Sequence, residues 1–184
     1  MRLTAYVGGG HTPNSLKARN EFRALKQNGV DKESFDSTSG VHYAWIDCVV
    51  RRACPGRPDI CLVQIHAADD DLGMIRWING SLISTYGDSG RPGTLATGVA
   101  IGTRMKLMMK TQRVGSQTQI GYYYNDMTTP KATQNYGGAA GNYMKLGNYN
   151  QSDPSYDETG ESAVVDVYGM GIWHTGDPAP ALNF

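Results

Sequence analysis

The stretch "NYMKLGNYNQ", residues 142–151, alternates as an extended strand does, but its polarity is the reverse of a core strand. Tyr143, Lys145, Tyr149 and Gln151 fall on one side with Gly147 among them, while Met144 and Leu146 fall on the other. A strand of this kind asks for a sheet packed against a core on one face and open on the other.

The same period of two runs through the rest of the chain. "VHYAWIDCVV" (41–50), "ICLVQIHA" (60–67), "GMIRWI" (73–78), "RMKLMMKTQR" (104–113), "QIGYYYN" (119–125) and "AVVDVYGMGIWH" (163–174) all read as strands. "NG" at 79–80 and "VGS" at 114–116 read as tight turns. "NSLKARNEFRALKQ" has, on composition, the look of a short amphipathic helix. Residues 86–98 and 125–142 read as long glycine-rich loops of the sort that bind or cover a ligand, and the tail "TGDPAPALNF" as an exposed strap. No repeat or linker divides the chain, so residues 1–184 form one all-β domain, a two-sheet antiparallel sandwich or jelly roll.

Composition narrows the class of function. Lys plus Arg equals Asp plus Glu at 17 each, which removes the polybasic signature of a nucleic-acid binder. No apolar run approaches the ~20 residues that span a bilayer. Gly at 23, Tyr at 11 and only 18% charged residues suit a turn-rich extracellular protein. The start "MRLTAYVGGG" carries no apolar signal segment, which by itself reads as an intracellular protein; with the motifs that follow, the expectation is instead a secreted chain in mature or N-terminally shortened form. Cys48, Cys54 and Cys61 lie close together. Two of them can close a small loop, or all three can remain thiols. Zinc is disfavoured, because the cluster has no CxxC pair and no histidine. "ADDDLG" (68–73) reads as a solvated acidic turn rather than a calcium loop.

The odd-even test finds two more strands with a chemical face. In "CLVQIHA", Val63, Ile65 and Ala67 point one way, and Gln64 and His66 the other, together with Leu62. Taken as a strand, "ARNEFRA" puts Arg19, Glu21 and Arg23 on one face and Phe22 and Ala24 opposite. Taken singly, such residues are what any solvent face presents. Together they are donors suited to an anion, with Glu21 placed to hold both arginines by charge-assisted hydrogen bonds.

"RNEFR" (19–23), "QIH" (64–66) and "YMKLGNYNQ" (143–151), in this order, resemble the three signature blocks of polysaccharide lyase family 7, the alginate lyases. "HTPNSLKARNEFR" is similar to the stretch leading into the first block, and "SAVVDVYGMGIWH" to the family's closing strand. The resemblance implies a β-jelly roll with an open cleft across one sheet, and it makes 19–23 a strand rather than part of a helix. Asn20, Phe22, Met144 and Leu146 depart from the family's usual residues, and all four are expected on the core side. The first block begins closer to the start than is usual in the family. Glucuronan lyases, on a similar jelly roll, are the nearest competitor.

The resemblance implies cleavage of 1,4-linked uronate chains by β-elimination, with an acidic polysaccharide as partner, no cofactor or metal, and neither nucleic acid nor membrane. A monomer is expected. Arg19, Gln64 and His66 would neutralise the sugar carboxylate, a task for oriented donors around a developing oxyanion. His66 would be the base for guluronate geometry, and Tyr149 the acid, or both acid and base when proton and leaving group share a side. Glu21, Arg23, Lys145, Tyr143 and Gln151 would bind substrate. A phenol of pKa ~10 needs cationic neighbours to serve as a base, and Lys145 or Arg23 would supply them. Gly147 would leave room for a sugar ring, and Ile65 between Gln64 and His66 favours guluronate-containing chains. Two other classes compete on the same fold. A carbohydrate-binding module would keep the groove without needing His66 and Tyr149 together. A hydrolase would want two opposed carboxylates, whereas Glu21 is the only acid on these faces.

Overall fold

The computed structural model describes residues 1–177 apart from 14, 27, 68, 69, 88 and 89. Twelve strands are described: β1 (Arg2–Tyr6), β2 (Arg19–Arg23), β3 (Val41–Arg52), β4 (Asp59–His66), β5 (Asp71–Ile78), β6 (Ser81–Tyr86), β7 (Gly90–Ala96), β8 (Arg104–Val114), β9 (Gln117–Tyr124), β10 (Ala132–Tyr136), β11 (Tyr143–Asn150) and β12 (Ser162–His174). They form two six-stranded sheets in the orders β1-β12-β3-β8-β9-β10 and β2-β11-β4-β5-β6-β7. Every pairing is antiparallel, and the two sheets make a jelly roll.

The core lies between the sheets and is built from the apolar parity of each long strand. Ala44, Ile46, Cys48 and Val50 of β3 meet Val63 and Ile65 of β4, Ile75 and Trp77 of β5, and Met144 and Leu146 of β11. Each fully buried aliphatic side chain of this kind contributes about 1.5–3 kcal/mol of transfer free energy. Both predicted turns are present. Asn79 and Gly80 hold φ of 44° and 83°, the paired left-handed values that let a two-residue turn follow the twist of β5 and β6. Gly115, at φ 61°, lies in the turn that joins β8 to β9.

Several expectations need correction. Residues 19–23 are strand, as the resemblance implied, so it is only the helical look of the composition that fails. The segments read as loops, 86–98 and 125–142, each contain an edge strand, β7 and β10. Edge strands need only one partner and little apolar face, and "GRPGTLA" even holds a proline, which an edge tolerates. β1 and β6 were also missed. In "RLTAY" the buried pair, Leu3 and Ala5, is too short a pattern to stand out. Leu62 joins the core rather than the polar face, because β4 shifts register against β5 between Cys61 and Val63 and breaks the parity. Asn20 and Phe22 are exposed rather than buried in the core, since β2 is the edge strand of its sheet. All three cysteines are free, buried thiols. Of the tail read as a strap, residues 178–184 lie outside the described residues.

One polar element ties the sheets together. The amide of Asn148 donates to the carbonyls of Leu3 and Ala163, at 3.1 and 2.9 Å, and that of Asn150 donates to Ala5 O and Cys54 Sγ. Both asparagines are fully buried, so β11 is hydrogen-bonded through side chains to the backbone of the opposite sheet.

Candidate active site

β11 lies between β2 and β4, and its register decides which polar side chains meet. Tyr149 stands opposite Arg19 and Lys145 opposite Arg23 on one side, while Lys145 faces Gln64 and Tyr143 faces His66 on the other. The outer face of these strands carries a cleft of about 460 Å³. Arg19, Gln64, His66, Tyr143, Lys145, Tyr149 and Gln151 all line it. A second hollow of similar size shares Arg19, Tyr143 and Lys145 and adds Glu21 and Arg23. All nine residues singled out in the sequence are therefore brought together.

The two arginines lie on tyrosine rings. The Arg19 guanidinium sits 3.9 Å from the centre of the Tyr149 ring, and that of Arg23 sits 3.4 Å from the centre of Tyr143. Arg23 therefore serves Tyr143, and the cation nearest the Tyr149 ring is Arg19. The Tyr143 ring also stacks on His66, with centroids 5.0 Å apart and planes inclined by 12°.

Glu21 does not pair with either arginine. It accepts a hydrogen bond from Nε2 of Gln64, across the strand between them. Side chains at alternate positions of a strand project in parallel about 7 Å apart, too far for Glu21 to clasp both neighbours once these lean over rings. Burial pushes the Glu21 carboxyl above its usual range, against the opposing effects of Lys145, the Gln64 bond and Arg19. The contact fixes the Gln64 amide and leaves its second N–H free for the groove. Three buried atoms here, Arg19 Nε, Arg23 Nε and Glu21 Oε2, have no hydrogen-bond partner in the protein.

His66 is held in one tautomer. Its Nδ1 lies 2.7 Å from the carbonyl of Ala67, so Nδ1 carries the proton and Nε2 keeps a lone pair. Burial lowers its pKa, and Lys145 and Arg19 lower it further, against the pull of the Ala67 bond and Asp70. The ring is thus neutral near neutrality and able to accept a proton. Lys145 is also driven down, chiefly by burial and then by Arg19 and Arg23, while Glu21 supports its charge.

Sequence reading missed Ser15, Lys17 and Asp71. The hydroxyl of Ser15 lies 3.2 Å from Tyr149 Oη, and Lys17 Nζ donates to Gln151 Oε1 at 3.2 Å. Both share the odd parity of Arg19, Glu21 and Arg23, so extending the same test four residues upstream would have found them. Asp71 belongs to the segment read as a solvated turn, yet it is buried in the cleft wall and accepts Gly87 N–H. Burial and the neighbouring Asp70 raise its pKa to about 6. Of the other turn residues, 68 and 69 lie outside the described residues.

Gly147 has a different purpose from the one expected. A Cβ there would stand 2.6 Å from Asn20 O, 3.1 Å from Glu21 Cα and 3.1 Å from Leu3 Cδ1, with φ at +141°. Its lack of a side chain lets β2 approach β11. Among the described residues no three His, Cys, Asp or Glu side chains are grouped as a metal would need.

A concave sheet with cations, amide and phenols on its floor, and a neutral histidine beside them, is the arrangement of a polysaccharide lyase acting on an anionic chain. The sequence model of the alginate lyase family matches residues 1–174, and the chain belongs to that family, polysaccharide lyase family 7. The alginate lyase AlgAT5 of family 7 is similar in structure at a TM-score of 0.84 with 30% identity, over 95% of this chain and 77% of that one. An alginate lyase from Corynebacterium sp. gives 0.83 and 26%, over 95% and 76%. The family 7 enzyme A1-II′, solved in complex with substrate, shares the fold at 0.75 with 19% identity, over 98% and 80%. No curated protein matches the chain.

Proposed function

We propose that this polysaccharide lyase cuts alginate within the chain, with guluronate-containing stretches preferred, by β-elimination at the cleft between β2, β11 and β4. The observation that carries the reading is the pairing of a basic Nε2 on His66 with the Tyr149 hydroxyl in one cleft that Arg19 and Gln64 also line.

Elimination removes the C5 proton beside the sugar carboxylate and expels the oxygen on C4. While the carboxylate is ionised, the intermediate gathers a second negative charge, so the site must supply positive charge and oriented donors. Arg19 and the free N–H of Gln64 meet the carboxylate. For a guluronate residue, with proton and leaving group on opposite faces, His66 takes the proton. The C–H electron pair becomes the C4–C5 double bond, and the departing oxygen takes a proton from Tyr149. For mannuronate both transfers fall on one face, and Tyr149 serves in both. Arg23, Lys145 and Tyr143 bind the chain, Glu21 orients Gln64, and Gln151 supports the Tyr149 end of the cleft. Two adjoining hollows sharing Arg19, Tyr143 and Lys145 make a groove rather than a pit, which supports binding within a chain.

The test is incubation with polyguluronate, polymannuronate and glucuronan separately, following the ultraviolet absorbance of the unsaturated product and sizing the products early. Fastest release from polyguluronate with long early products is expected. A faster reaction with glucuronan would overturn the substrate, and monomers or dimers alone at early times would overturn the endolytic mode.

A further inference from the structure

One cation in the cleft has no part in this chemistry. Lys17 stands in the wall beside Tyr149, and among the described residues its ammonium is bonded only to a neutral acceptor, Oε1 of Gln151. Among the described residues it forms no ion pair. The charges nearest it include two of its own sign. Burial, then Arg57 and then Arg76, hold its pKa below the ordinary lysine value, with Asp59 and Asp153 opposing weakly.

Those carboxylates are already engaged. Asp59 is gripped at both oxygens by Arg76, and Arg57 lies 3.9 Å away. Asp153 accepts the N–H and the hydroxyl of Ser155. A half-buried ammonium beside two further cations, with no acid of its own, is a local excess of positive charge that an incoming carboxylate would relieve.

Its position relative to the chemistry is set by hydrogen bonds. The backbone N–H of Lys17 donates to Ser15 Oγ, the same oxygen that meets Tyr149 Oη, while the Gln151 amide returns to Tyr149 O at 3.3 Å. Gln151 is two residues beyond Tyr149, about 7 Å along an extended strand, a spacing on the scale of one sugar ring.

We propose that Lys17, steadied by Gln151 and backed by Arg57 and Arg76, forms a second carboxylate subsite that takes the uronate adjacent to the one being cleaved. This rests on the uronate-lyase reading above and adds a residue outside its signature blocks. The subsite makes cleavage depend on a charged neighbour, so substrate length matters up to the sugar that reaches Lys17.

The experiment compares the wild type with Lys17→Met and Lys17→Arg on purified oligouronates of increasing length. For the wild type, kcat/KM should rise at the length that first fills the subsite. Lys17→Met should lose that step, lowering kcat/KM on longer chains about tenfold, the size of one partly exposed charge-assisted hydrogen bond, chiefly through KM. Lys17→Arg should recover most of it, and unchanged melting of both variants separates loss of the charge from loss of fold. A wild type inactive on every uronan would refute the lyase reading and this subsite with it. An active wild type whose length dependence is matched by Lys17→Met would refute the subsite alone.

Discussion

Replacing Gly147 with alanine separates two explanations of the glycine that make opposite predictions. If the glycine cleared room for a sugar, a methyl group would weaken substrate binding and leave the fold intact. The geometry says otherwise. The new Cβ would lie 2.6 Å from Asn20 O, where ordinary contacts begin at 3.4 Å, so β2 must retreat by the difference, about 0.8 Å. The φ of +141° adds backbone strain of about 1–3 kcal/mol for a residue with a side chain. With the steric term the total cost is about 2–4 kcal/mol, which in a protein of this size lowers Tm by roughly 5–12 °C. The same retreat shifts Arg19 and Glu21, and a displacement near 1 Å at a reacting centre costs about 100-fold in kcat. Thermal unfolding and steady-state kinetics measure both effects. A Gly147→Ala protein with native Tm and an increase confined to KM would refute this reasoning and restore the steric-clearance reading.

Other perturbations follow from the site. Tyr149→Phe should lower kcat by about 1,000-fold, as expected for loss of a general acid, with substrate still retained in equilibrium binding; near-native turnover would remove Tyr149 from that role. The acidic limb of the pH–rate profile on polyguluronate should lie below the ordinary histidine value of ~6.5, because burial and two cations favour neutral His66, and His66→Gln should abolish both the limb and most activity. Asp71, with its folded pKa raised to about 6, binds its proton more tightly folded than unfolded. Stability is therefore lost as pH climbs from about 4 to 6, so Asp71→Asn should raise Tm at pH 7–8 and change it little at pH 4. Equal Tm shifts at both pH values would show that burial of its charge is not the cause.

Much of the molecule can be read from parity alone, because antiparallel strands with one buried face repeat every two residues. Long interior strands such as β3, β8 and β12 carry that signal clearly. It fails where the repeat is short or interrupted: five-residue β1 and β10, the proline-bearing edge β7, and the bulge that turns Leu62 into the core. The candidate site was legible because its residues stand on three adjacent strands with their polar face outward. What could not be read was the partner each side chain takes across strands. The arginines lie on tyrosine rings and Glu21 turns to Gln64, since these choices depend on register, not on composition. Ser15 and Lys17 escaped notice because they precede the strand, although they keep its phase.

The buried amides of Asn148 and Asn150 give β11 a division of labour. The even-numbered Asn148 and Asn150 grip the protein's own backbone, while the odd-numbered Tyr143, Lys145 and Tyr149 line the cleft. Tyr149 sits between two such anchors, so its height above the groove is dictated from behind, by main-chain carbonyls that any sequence would offer. The odd positions can then change with the sugar to be recognised, while the frame that aims the phenol remains untouched.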